Sequence, residues 1–64
     1  MVRLQVLPAD DGWAVRLNAE TVGTAPDSAR AEILAREYLM EHGGGEMIVH
    51  LGDRRAPKVV RVDP

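Results

Sequence analysis

The chain opens with two segments in which apolar and polar residues alternate. Every second residue from Val2 to Val6 is an aliphatic residue, and residues 13–18 repeat the pattern from Trp13 onward. A period of two is typical of a strand with one buried face. An Asp-Gly pair at 11–12 lies between the segments and is a strong hairpin signal. We therefore predict an antiparallel β-hairpin with one shared apolar face.

A helical period replaces the alternation farther along. Asp27 precedes this segment as a predicted N-cap, because its carboxylate can accept from N–H groups of the first turn at the positive end of the helix dipole. The helix is expected to end near His42, where the glycines at 43–45 follow and one of them adopts a left-handed conformation. The predicted core-facing stripe is Ala31, Leu34, Ala35, Tyr38 and Leu39, widened by Ile33 and Met40.

Two further strands are predicted after the helix. Residues 46–51 are largely apolar, which indicates a central and mostly buried strand, and residues 58–62 predict a last strand at the edge. A short third strand at 21–24 stays an open alternative. The order is ββ(β)αββ, so the predicted fold class is α+β, a two-layer arrangement of one helix packed on a mainly antiparallel sheet. We treat residues 1–64 as a single small domain in which 54–64 form a basic tail.

Composition limits how such a small domain can be stabilised. The chain has 64 residues, 45% of them hydrophobic, and no cysteine. A domain of this size buries only about 60% of its unfolded surface, which leaves little net stability. Without cysteine, disulfides and cysteine-ligated zinc are excluded, and association with a second chain is the remaining route. We therefore expect a monomer or a homodimer, with neither favoured.

The net charge of -2 combines two unlike parts. Residues 1–51 hold four arginines against eight acidic residues, a net of -4, whereas residues 52–64 hold four cations against two aspartates, a net of +2. Broad nucleic-acid binding depends on clustered cations, so an acidic body argues against it. No secretory signal and no apolar segment near the ~20 residues of a membrane span is present. We expect a cytoplasmic protein with no membrane contact.

No constellation of side chains predicts catalysis. Ser28 is the only serine and lies at the predicted helix start, and nucleophilic catalysis needs a nucleophile beside a base. A three-ligand metal site could be drawn from His42, His50 and Glu46, but the spacing of these residues matches no zinc signature. We predict no enzyme activity, no cofactor and no metal site.

The sheet face turned away from the helix is the predicted interaction surface. Alternation places Arg3, Arg16 and Arg61 there, which suits a protein partner or a second copy of the chain. RNA recognition by a sheet relies on exposed aromatic residues, and Trp13 and Tyr38 fall on the core side. The alternative that we keep is a nucleic-acid-associated accessory or antitoxin-like regulator. The candidate residues of the face and the tail are Arg3, Gln5, Arg16, Asn18, His50, Arg54, Arg55, Lys58 and Arg61.

Four short motifs follow one another along the chain. They are Val6-Leu7-Pro8, Gly12-Trp13-Ala14-Val15, Ala35-Arg36-Glu37 and Gly45-Glu46-Met47-Ile48-Val49-His50. In this order, over roughly residues 4–53, the chain resembles a domain-of-unknown-function family of short bacterial proteins. Arg54 stands where that family usually has the glycine of an Asp-Gly-Arg turn, so residues 54–64 lie outside the comparison.

That resemblance implies a small α+β fold and no established catalytic or binding residues. The chain is also similar to HicB-type antitoxins of bacterial toxin–antitoxin pairs. The shared features are the opening strand, the acidic turn, the aromatic-x-Val strand and the alanine-rich helix. The second resemblance implies a regulatory role alongside a toxin.

Overall fold

In residues 2–52 and 55–63, which the computed structural model describes, one helix lies across one face of a five-stranded sheet. This arrangement confirms the predicted two-layer α+β fold and its ββ(β)αββ order. The elements are β1 (Val2–Ala9), β2 (Gly12–Leu17), β3 (Glu20–Ala25), α1 (Ser28–Glu41), β4 (Gly45–Val49) and β5 (Lys58–Val62).

The strands lie in the order β3-β2-β1-β4-β5. Neighbouring strands are antiparallel except for β1 and β4, which are parallel. The first three strands therefore form a meander, and α1 carries the chain back so that β4 can lie beside β1. The third strand is present and longer than the predicted segment. Val15 pairs with Gly23 and Arg16 with Thr21, which leaves Val22 as the extra residue of a β-bulge.

The core lies between α1 and the sheet. Ala31 and Ala35 are fully buried, and their small side chains let the helix approach the strands closely. Ile33 and Met40, expected to widen the buried stripe, are 57% and 56% exposed. That expectation is wrong because the sheet covers only one side of α1. The buried cluster is Leu4, Val6, Val15, Ala31, Ala35, Leu39, Met47, Val49 and Val62.

Both ends of α1 follow the predicted local chemistry. The Asp27 carboxylate accepts from the Arg30 backbone N–H at 2.8 Å, which confirms the N-cap. Beyond the helix, the Gly44 N–H donates to the Leu39 carbonyl at 2.6 Å, and Gly43 has a φ of 86°. This left-handed ending confirms the predicted role of the glycines. Within the described part of the chain, no helix is long and apolar enough to cross a membrane.

Strand β4 has the predicted central position but a different burial pattern. Met47 and Val49 are buried, whereas Glu46 and Ile48 between them are only partly buried. The alternation arises because residues 2–52 and 55–63 place no layer over one face of the sheet. The strand ends at Val49, two residues earlier than predicted, so Leu51, which is 40% exposed, lies beyond it.

Candidate interaction surface

The sheet face opposite α1 is uncovered by the described residues. Val6 and Val15 are buried against the helix and lie opposite each other in register, so the adjacent pair Gln5 and Arg16 points to the other face. The same registers extend this face through β4 and β5. We call it the open face, and it consists of Arg3, Gln5, Leu7, Ala14, Arg16, Glu46, Ile48, Val59 and Arg61.

A charged row crosses the open face. Arg3 is the register partner of Glu46, and Glu46 is the register partner of Arg61. The Arg3 Nε donates to the Glu46 Oε1 at 2.5 Å. The Glu46 side chain is 16% exposed, whereas that of Arg3 is 67% exposed. Glu46 thus lies between two arginines in the register of the sheet and is bonded to Arg3, and the row keeps a net positive charge.

An apolar strip lies beside the charged row. Ile48 is the register partner of both Gln5 and Val59, and Val59 is 58% exposed. Leu7 and Ala14 form the next pair on this face. In total the open face holds three arginines against one glutamate, a net of +2, on a chain whose net charge is -2. It is therefore the positive side of an otherwise acidic molecule.

Arg16 is held by the turn between β2 and β3. Its Nη2 donates to the Ala19 carbonyl at 3.0 Å, and its buried Nε has no hydrogen-bond partner among residues 2–52 and 55–63. Asn18, expected on the open face, instead lies in this turn with a φ of 56°. The expectation is wrong because β2 ends at Leu17, and strand alternation does not continue into a turn.

Lys58, a candidate as a cation of the tail, does not join the open face. It is the register partner of Val49, which is buried under α1, so Lys58 lies on the helix side of the sheet. Its Nζ is 3.0 Å from the Glu32 Oε1 of the helix. Lys58 therefore ties β5 to α1 and is not part of the open face.

The remaining candidates lie at the margins. The His50 N–H donates to the Val6 carbonyl at 2.8 Å, which extends the β1–β4 pairing by one residue, and the His50 side chain is partly buried. Arg55 is exposed in the segment before β5. Arg54 lies outside the described residues.

A groove beside the β1–β2 turn was not predicted. It has a volume of about 560 Å³ and is lined by residues 9–13 and 24–26, including Asp10, Asp11 and Trp13. Its second wall exists because Ala25 of β3 lies opposite Trp13 of β2. The sequence did not decide whether β3 forms. No signal short of the β2–β3 register could have revealed the groove.

The histidine pattern has a local explanation. The His42 ring stacks on Tyr38 with the ring centroids 4.1 Å apart, and its Nδ1 donates to the Tyr38 carbonyl at 2.7 Å. No group of three or more histidine, aspartate or glutamate residues within 2–52 and 55–63 could hold a metal ion.

The comparisons with known proteins give a family and no activity. A family model described as an uncharacterised protein conserved in bacteria, DUF2188, matches residues 4–57. The chain belongs to this family. The DUF2188 match runs from within β1 to the segment before β5, so it includes Glu46 of the charged row but neither Arg3 nor Arg61. No curated protein and no solved structure matches the chain. The resemblance to HicB-type antitoxins gains no support from these comparisons.

Proposed function

We propose that this DUF2188 protein is a non-enzymatic module that binds another protein through its open face. The observation that carries the proposal is an uncovered sheet face on which apolar Leu7, Ile48 and Val59 lie among arginines. Protein interfaces combine an apolar centre with a polar rim, and arginine is enriched in them. We also propose a cytoplasmic location, which fractionation of cells that express the tagged chain would test.

The charge of the open face supports an acidic partner. Two open faces pressed together would oppose a net of +2 to a net of +2, which disfavours self-association by this face. An acidic surface of another protein would be attracted instead. Such a contact would also cover Val59, which is 58% exposed.

A matched pair of variants tests the proposal. Gln5→Glu and Arg36→Gln both change the net charge by one unit, at exposed positions on opposite sides of the molecule. The full chain is immobilised, and a protein that binds to it is purified. Calorimetry then measures the affinity of that protein for the wild-type chain and for each variant. We expect Gln5→Glu to weaken binding several-fold, because it brings a negative charge into the contact, and Arg36→Gln to leave binding unchanged.

Two results would contradict the protein-partner proposal. One is an equal effect of Gln5→Glu and Arg36→Gln on the affinity of the purified partner. The other is nucleic-acid binding in place of protein binding. We expect none below about 100 μM at low salt, because non-specific nucleic-acid binders typically reach 10⁻⁴–10⁻⁶ M. Trp13 packs against the core and Tyr38 lies on the helix, so neither offers base stacking on the open face.

A further inference from the structure

The two edge strands of the sheet differ in how readily they can accept another strand. β3 carries the bulge at Val22, and bulges are one way in which proteins protect a sheet edge. β5 pairs with β4 over five residues without an irregularity. Within the described part of the chain no strand pairs with the outer side of β5. That side presents backbone N–H and C=O groups to any strand of matching register.

The two cations of β5 do not block this edge. Charged residues on an edge strand normally discourage pairing. Here the Lys58 Nζ is 3.0 Å from the Glu32 Oε1, and Arg61 is the register partner of Glu46. Lys58 is therefore paired with a carboxylate of its own chain, and Arg61 lies on the open face, beside the strand that carries Glu46. Exposed Val59, on the same strand, would gain cover from a partner.

We propose that β5 joins two copies of this chain, antiparallel and centred on Val60, so that one sheet continues through both molecules. The pairing is isologous and closes on itself as a twofold dimer. A second copy fits because a small domain with a marginal core gains stability from association. The dimer goes beyond the proposed function and does not depend on it, because pairing at the edge involves only the margin of the open face, at Val59 and Arg61.

The register follows from the side chains of β5. With Val60 opposite Val60 of the second copy, Lys58 faces Val62 and Val59 faces Arg61, so all five residues pair and no cation faces a cation. Residues directly opposite in antiparallel strands point to the same face, so both helices lie on one side. Moving the centre to residue 61 would oppose two arginines, and moving it to residue 59 would leave only three paired positions.

Opposite charges at one exposed position test both the dimer and its register. In the Val60-centred register, residue 59 faces Arg61 of the second copy. Sedimentation equilibrium of the full chain up to about 1 mM measures the dissociation constant, since a single strand pair buries less than the ~1,600 Å² of a typical stable interface. We expect Val59→Glu to tighten the dimer about fivefold and Val59→Lys to weaken it about fivefold, because each dimer contains two such pairs.

Different results would contradict the dimer and its register. A wild-type chain that stays monomeric at the highest concentration overturns the dimer but leaves partner binding by the open face intact. Equal weakening by Val59→Glu and Val59→Lys overturns the Val60-centred register, because a centre at residue 59 would oppose like charges in both variants. Thermal melts confirm that the variants fold, and added salt should shrink the difference between them. Gln5→Glu should leave the dissociation constant unchanged.

Discussion

Gly45 packs against the carbonyl group of Val2, its register partner in the parallel β1–β4 pair. A Cβ atom at residue 45 would overlap that carbonyl oxygen and would lie 3.0 Å from the Leu39 Cδ2. The start of β4, the start of β1 and the end of α1 therefore meet at a point where only glycine fits.

We expect Gly45→Ala to lower the free energy of unfolding by about 3 kcal/mol, because the added methyl group forces backbone apart in a packed region. Gly43→Ala is the control. Gly43 also has a positive φ, 86°, but an added Cβ there would meet no atom within 4 Å. Gly43→Ala should lower the free energy of unfolding by only about 1 kcal/mol, which is the cost of a left-handed conformation alone. Urea unfolding of both variants measures the difference, and equal losses would contradict the close contact with Val2.

Leu39 and Met40 are neighbours in sequence with opposite environments. Leu39 is fully buried, whereas Met40 is 56% exposed. Leu39→Ala should cost about 3 kcal/mol of unfolding free energy through a cavity in the core, and Met40→Ala should cost less than about 0.5 kcal/mol. Chemical denaturation of the two variants checks this. A large loss for Met40→Ala would mean that the outer side of α1 is covered in solution.

The N-cap offers a test of local structure. Asp27→Ala removes the acceptor for the Arg30 backbone N–H and should cost about 1 kcal/mol. Asp27→Asn keeps a side-chain oxygen at the same place and should retain most of that stability. Melting temperatures of the two variants, measured at neutral pH, give the comparison. A loss as large for asparagine as for alanine would show that charge, and not capping, is the stabilising factor.

Removal of residues 58–64 tests whether β5 belongs to the folded unit. The truncation deletes the buried Val62 and exposes the edge of β4, so we expect at least about 2 kcal/mol of lost stability. Lys58→Ala is the matched control, because it removes only a partly exposed ion pair with Glu32 and should cost less than about 1 kcal/mol. An unchanged urea midpoint in the truncated chain would contradict the pairing of β5 with β4.

The local features of the fold were predictable because each depends on residues that are close in sequence. The hairpin of β1 and β2 follows from alternation and an Asp-Gly pair, and α1 begins at the Asp27 cap. The glycine ending of α1 is equally local, since the Gly44 N–H reaches back only to the Leu39 carbonyl. None of these requires knowledge of which strands pair.

Features that depend on register were not predictable in the same way. Alternation from Val60 and Val62 puts Lys58 on their side of the strand, but its ion pair with Glu32 depends on where α1 lies over β5. The ion pair of Arg3 with Glu46 needed the parallel pairing of β1 with β4, which residues far apart in sequence determine. Alternation alone assigns the three arginines to the open face, and Glu46 with them through His50, but it does not show which arginine the carboxylate contacts.

The parallel pairing of β1 with β4 has a consequence for synthesis of the chain. β1 is synthesised first and lies between β2 and β4, so one of its edges stays unpaired until residues 45–49 have been synthesised. Until the ribosome has added the meander and all of α1, that edge is an open template for any other extended segment. Incomplete chains that end within α1 should therefore be the most aggregation-prone products of this sequence.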